Sequence, residues 1–176
     1  MEQRIKARIE GTRPLLMHRF NVENESKLKV GKKPIPEEEA KMGLYENENG
    51  PFIPSINILC SIIEAGKDAY VQGKGKKTYK EYIKSGLLVH PAEVPLISKS
   101  GWTIDLRPVV VKRNRIVRAR PRFDDWALEF EIEIIDPEIL TPDIVRLLLE
   151  RAGRYKGLGD FRPFFGTFKV VEFTIL

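Results

Sequence analysis

The chain has one cysteine, two histidines and no apolar run of membrane length. A single thiol, Cys60, excludes a disulfide framework and a cysteine-based zinc site, and its isoleucine and leucine neighbours predict a buried, inert side chain. A membrane helix needs roughly 20 apolar residues in a row. None occurs, and residues 1–10, charged and alternating, do not read as a secretory signal, so a cytoplasmic protein with no membrane partner is expected. With only His18 and His90, and with no HExxH motif or carboxylate cluster, neither a metal nor another cofactor is expected.

The length of 176 residues suits one core, so residues 1–176 are expected to form one domain. Hydrophobic residues at 42% and charged residues at 31% are those of a soluble globular chain. The net charge of +5 and a pI near 9.3 favour a polyanionic partner.

Hydrophobic periodicity orders the elements. Ile5, Ala7 and Ile9 alternate with polar residues, predicting a first strand that breaks near Gly11. Residues 21–50 are polar and punctuated by glycine and proline, and read as a mobile insertion. Ser55 reads as the N-cap of a helix carrying Ile56, Leu59, Ile62, Ile63 and Tyr70. Residues 103–135 read as a meander with turns near Arg113 and Asn114 and at Asp124 and Asp125, ending in a strand where Leu128, Phe130, Ile132 and Ile134 alternate with three glutamates. Thr141 and Pro142 open a second helix, and residues 167–176 close as a strand. Strand, helix, strands, helix, strand is the order of an α+β, ferredoxin-like (RRM-like) βαββαβ core with an antiparallel sheet, here with an added hairpin.

Four stretches could carry chemistry. Residues 112–122 hold six cations and no acid, the composition of a phosphate track. If the turn at Asp124 and Asp125 made a hairpin, Arg120 would face Glu129 and Arg118 would face Glu131, leaving Lys112, Arg113, Arg115 and Arg122 as the freer cations. Both readings stay open in the sequence. A basic loop over residues 73–80 sets Lys74, Lys76, Lys77 and Lys80 around two glycines, with Tyr79 as a stacking face for a base. Its glycines lack the spacing of a nucleotide phosphate loop, so ATP or GTP use is unsupported. Phe123 and Trp126 read as core or a hairpin clasp, the alternative being a stacking pair at a hairpin tip. His18, at the end of the first strand, is a candidate general base.

The fourth stretch lies between the second helix and the last strand. A helix stop uses one glycine, yet Gly157, Gly159 and Gly166 stand together with Phe161 and Phe164. A backbone free of side chains can approach a phosphate with its N–H groups outward, while Arg154, Lys156 and Arg162 supply charge. The bland alternative is a bulged crossover packed by its aromatics.

This glycine layout, together with the run Gly50-Pro-Phe-Ile-Pro-Ser55 that opens the first helix, resembles the RAMP superfamily of CRISPR systems. The resemblance implies a ferredoxin-like fold and an RNA-binding role, either as a subunit coating the guide strand or as a guide-processing endoribonuclease. The leading expectation is a non-catalytic binder of single-stranded DNA or RNA, gripping the backbone and coating the strand as an oligomer. The alternatives are a metal-independent endoribonuclease with His18 as base, and a structural assembly subunit.

Overall fold

The computed structural model describes residues 3–20 and 35–176. Its centre is β1 (Gln3–Gly11), where Ile5, Ala7 and Ile9 point into the core and the residues between them point away. On one side β1 pairs antiparallel with β10 (Phe168–Ile175), and on the other with β9 (Ala127–Ile134). Strands β5 (Leu87–His90) and β6 (Glu93–Ile97) both pair with β9. The last strand, the first, the third and the second core strands therefore lie side by side, which is the ferredoxin-like order.

The two core helices cover one face of this sheet. The helix Pro142–Arg151 starts where its sequence says it should, since the Thr141 hydroxyl accepts from the Ile144 N–H at 3.4 Å and Pro142 follows. Val145, Leu148 and Leu149 are its buried face. The helix Ser55–Gly66 differs from expectation in its cap and its face. Pro54 precedes it, Ser55 is its first residue, and no side chain caps it. Ile58, Ser61, Ile62 and Ala65 face inward, whereas Ile56 is exposed, as is Tyr70 beyond its end.

Residues 103–135 are not a meander. β7 (Thr103–Val111) and β8 (Asn114–Phe123) form a long hairpin that belongs to a second, three-stranded sheet with β2 (Leu15–Leu16). β9 leaves that sheet and joins β1. The physical reason is Trp126, buried at 4% exposure and donating to the Arg13 carbonyl at 2.8 Å, which turns the chain from one sheet to the other. Phe123 and Trp126 are thus core. Asp125 holds the neighbouring loop, accepting from the Lys99 N–H at 2.7 Å and the Ser100 N–H at 3.2 Å.

The stretch read as a mobile insertion is partly built. Residues 21–34 lie outside the described residues. Beyond them, α1 (Pro36–Met42) lies along β8, and β3 (Glu46–Asn47) pairs with β4 (Gly50–Pro54), which pairs in turn with β6. Glu39 fixes α1 in place, its carboxylate accepting from the Ala119 N–H at 3.1 Å and from Arg118 at 3.0 Å. With the core helices numbered in chain order, Ser55–Gly66 is α2, Lys80–Gly86 is α3 and Pro142–Arg151 is α4.

Candidate nucleic-acid interface

The sheet face turned away from the helices carries a charge ladder rather than a binding platform. Lys6 lies opposite Glu131, Arg8 opposite Glu129 and Arg4 opposite Glu133 in the register of β1 and β9. Arg8 pairs closely with Glu129, Arg4 reaches Glu133 at 3.4 Å and Lys6 reaches Glu172 at 3.7 Å. These pairs answer the glutamate stripe, so Arg118 and Arg120 do not. Arg118 goes to Glu39 and Arg120 to Asp160, because β8 and β9 lie in different sheets.

The glycine loop begins where α4 widens into a single π-turn, Ala152–Lys156. Its backbone groups are largely used internally. Gly157 N–H donates to Ala152, Leu158 N–H to Gly166, Asp160 N–H to Leu16 and Gly166 N–H to Pro14, all at 2.7–2.9 Å. Gly159 and Gly166 have φ of 76° and 74°, and a Cβ on either would strike a carbonyl oxygen, that of Leu16 or of Leu158. The glycines therefore let the loop lie against residues 14–17, and the expected cradle of outward N–H groups is not what they build. Buried Ser61 on α2 completes the seat by donating to the Gly157 carbonyl at 2.8 Å.

What this seating creates is a groove between the loop, the end of β2 and the exposed side of α2. A cavity of about 360 Å³ is lined by His18, Asn57, Cys60, Gly159 and Arg162 among others, and a neighbouring one of about 680 Å³ by Cys60, Glu64, Phe161 and Arg162. Cys60 is exposed here, contrary to the expectation of a buried thiol, because the apolar side of α2 is set by Ile58 and Ile62. Asn57, Cys60 and Glu64 recur at helical spacing on the opposite side, a signal legible in the sequence that the hydrophobic neighbours obscured. The His18 imidazole stands 4.0 Å from Asp160, and burial, then the Arg120 guanidinium, hold its pKa below the ordinary value.

The loop tip is bound to the root of the hairpin by stacked charge. The Arg107 guanidinium lies 4.3 Å from the Phe165 ring centroid and 5.6 Å from that of Phe161, and Arg122 lies 5.9 Å from Phe165. Buried Asp105 accepts from both arginines. Arg122 also donates to Asp124 at 2.7 Å, so it is a structural cation and not the free one expected. Phe164, at 70% exposure, is the open stacking face of the tip, and Phe161 is 41% exposed.

The remaining expected residues divide. Among the described residues Arg162, Lys112, Arg113 and Arg115 have no ion-pair partner, and all four are exposed. Lys112 and Arg113 occupy the hairpin turn with φ of 48° and 70°, a conformation in which asparagine and glycine are usual. Lys156 is tied to Asp68 at 2.7 Å. In the 73–80 loop, Lys76 and Lys77 are exposed, Lys74 lies 5.2 Å from the Tyr82 ring centroid and Lys80 reaches Glu81 at 3.5 Å. Tyr79 is 8% exposed within the core, which removes it as a stacking face. Arg154 is exposed and lines a different cavity from Arg162. Asn57, Cys60 and Arg107 enter the site without having been expected there.

A ferredoxin-like sheet, helices on one face, a glycine-rich loop before the last strand and a long inserted hairpin define the class of fold. No family model matches the chain, and no curated protein matches it. Among solved structures, the cryo-EM structure of the Type III-B Cmr-beta bound to cognate target RNA contains a chain that superposes at a TM-score of 0.58, with 13% identity over 99% of this chain and 61% of that one. The crystal structure of Cmr6 from Pyrococcus furiosus gives a TM-score of 0.49 and 11% identity over 96% of this chain and 98% of that one. The likeness to the Cmr-beta chain is one of fold, and the ferredoxin-like fold expected from the order of the elements is the fold found. This chain spans about 61% of the Cmr-beta chain it matches.

Proposed function

We propose that this protein binds single-stranded nucleic acid, RNA in preference to DNA, along a path from the groove beside α2, over the glycine-loop tip, to the end of the β7–β8 hairpin. The chain acts as one ferredoxin-like unit, without catalysis, and successive copies coat the strand. The observation that carries this reading is the sorting of charge. Cations on the sheet face and at the hairpin root are paired, while Arg162, Lys112, Arg113 and Arg115 are exposed without ion-pair partners among the described residues, and Phe164 stands open near the first of them. Unpaired cations with an exposed aromatic grip a strand by counterion release and base stacking. The preference for RNA rests on the fold neighbour, whose structure holds a target RNA.

The test is fluorescence anisotropy with labelled single-stranded RNA, single-stranded DNA and duplex across a salt series. Single-stranded RNA should bind most tightly, with affinity falling steeply as salt rises, and Arg162→Glu should weaken it. A flat salt response, or equal binding of duplex, would overturn the reading. Cys60, the only cysteine of the chain, gives a second readout, since bound RNA should slow its alkylation in the groove.

A second reading, a metal-independent endoribonuclease, is favoured by one observation. His18 opens on the same cavity as Arg162 and has a lowered pKa, so it is neutral and able to accept a proton near pH 7. Denaturing gels of the RNA samples separate the two, and an observed cleavage unchanged in His18→Ala removes His18 from it.

A further inference from the structure

A second basic cavity, sharing no lining residue with the groove, opens at the junction of β1, α4 and β10. It measures about 620 Å³ and is lined by Thr12, Arg13, Glu150, Arg154, Thr167 and Lys169 among others. Its charges are unevenly committed. Glu150 accepts from Arg146 at 3.1 Å, and Lys169 stands 3.8 Å from Glu10. Arg13 and Arg154 have no carboxylate partner among the described residues. Arg13 is held in place by donating one N–H to the Pro163 carbonyl at 3.0 Å, which leaves other guanidinium donors unused.

Two hydroxyls complete the cavity. Thr12 Oγ1 and Thr167 Oγ1 are 2.8 Å apart, and Thr167 is only 6% exposed. One of the two must donate to the other, so a single hydroxyl hydrogen is left over. Two exposed guanidiniums, one O–H donor and an ammonium shared with Glu10 are the donor types that a tetrahedral oxyanion accepts from. Part of this arrangement is structural, since the Thr12 N–H donates to the Thr167 carbonyl at 2.8 Å and the Arg154 guanidinium lies 6.0 Å from the Tyr155 ring centroid, but neither contact engages the charge of Arg13 or Arg154 with an anion. Arg154 also offsets the negative end of the π-turn that extends α4, whereas Arg13 lies outside any helix.

We propose that this cavity is a phosphate site. Phosphate binding itself stands independently of the strand-binding reading; that the phosphate belongs to the bound strand, as an internal diester or as a terminal monoester, rests on it.

The experiment uses the full chain and the variant Arg13→Gln/Arg154→Gln. Inorganic phosphate is titrated against each and followed by amide resonances, with sodium chloride at matched ionic strength as control. The Thr12, Thr167 and Lys169 amides should shift and saturate in the wild type and stay still in the double variant. Absence of saturable shifts at these residues, or the same shifts in the variant, overturns the site.

Anisotropy with 5′-phosphorylated, 3′-phosphorylated and unphosphorylated RNA of one sequence then identifies the source. A terminal-phosphate preference lost in the variant assigns the monoester. Equal affinities with a log K against log salt slope shallower by about 0.7 to 1.4 in the variant assign one or two internal phosphates. Saturable phosphate binding with no effect on either RNA measure assigns a free phosphate. Arg162→Glu should lose RNA while keeping the phosphate shifts, so failure of strand binding and failure of this site give different results.

Discussion

The Ser61 hydroxyl, buried on α2, donates to the Gly157 carbonyl at 2.8 Å and fixes the start of the glycine loop to the first core helix. Two segments 96 residues apart in the chain are joined there, and the groove beside α2 takes its shape from that joint. Ser61→Ala leaves a buried carbonyl unsatisfied, at a cost of about 1–3 kcal/mol. Chemical denaturation should show this loss, and an unchanged midpoint would mean that water replaces the hydroxyl.

Gly159→Val should fail as a binding probe and act on folding instead. Its φ of 76° and the Leu16 carbonyl leave no room for a β-branched side chain, so strain of order 1–3 kcal/mol and displacement of β2 are expected. Arg162→Glu, on the exposed tip, should leave stability within about 0.5 kcal/mol of the wild type while RNA affinity falls. Thermal melts and anisotropy on the same two variants separate the roles.

The hairpin tip sets stability against charge. Lys112 and Arg113 both sit at positive φ, where a non-glycine residue costs on the order of 1–2 kcal/mol. Lys112→Asn/Arg113→Gly supplies the residues this turn favours, so the double variant should be more stable and bind RNA with a salt slope shallower by up to about 1.4. A stabilised variant with unchanged RNA affinity would take the tip out of the interface.

His18 should titrate below its ordinary value, since burial and the Arg120 guanidinium both disfavour its charged form. Between that lowered midpoint and about 6.5 the unfolded chain binds more protons, so the contribution is fully present above about pH 6.5 and is lost as pH falls toward the folded midpoint. The side chain is half exposed, which keeps the effect small. Nuclear magnetic resonance titration of the imidazole gives the midpoint directly, and a value at or above 6.5 would show that Asp160 dominates over Arg120.

Elements with strong local signals were legible in the chain alone. The alternation of Ile5, Ala7 and Ile9, the strict period of two from Leu128 to Ile134 and the Thr141-Pro142 cap each depend on neighbours in sequence, and each appears where expected. The order of these elements also pointed correctly to the fold class, because each was set by a local period or cap. Partners across space were different. The sequence could offer Glu129 and Glu131 to Arg120 and Arg118 as readily as to β1, and only the placement of β8 and β9 in separate sheets gave those arginines to Asp160 and Glu39. In the same way Tyr79 was drawn into the core, Cys60 was turned out to the groove and Arg122 was neutralised by Asp105 and Asp124. Periodicity is a local property of the chain, but which cation stays free depends on which carboxylate the tertiary structure brings within about 4 Å.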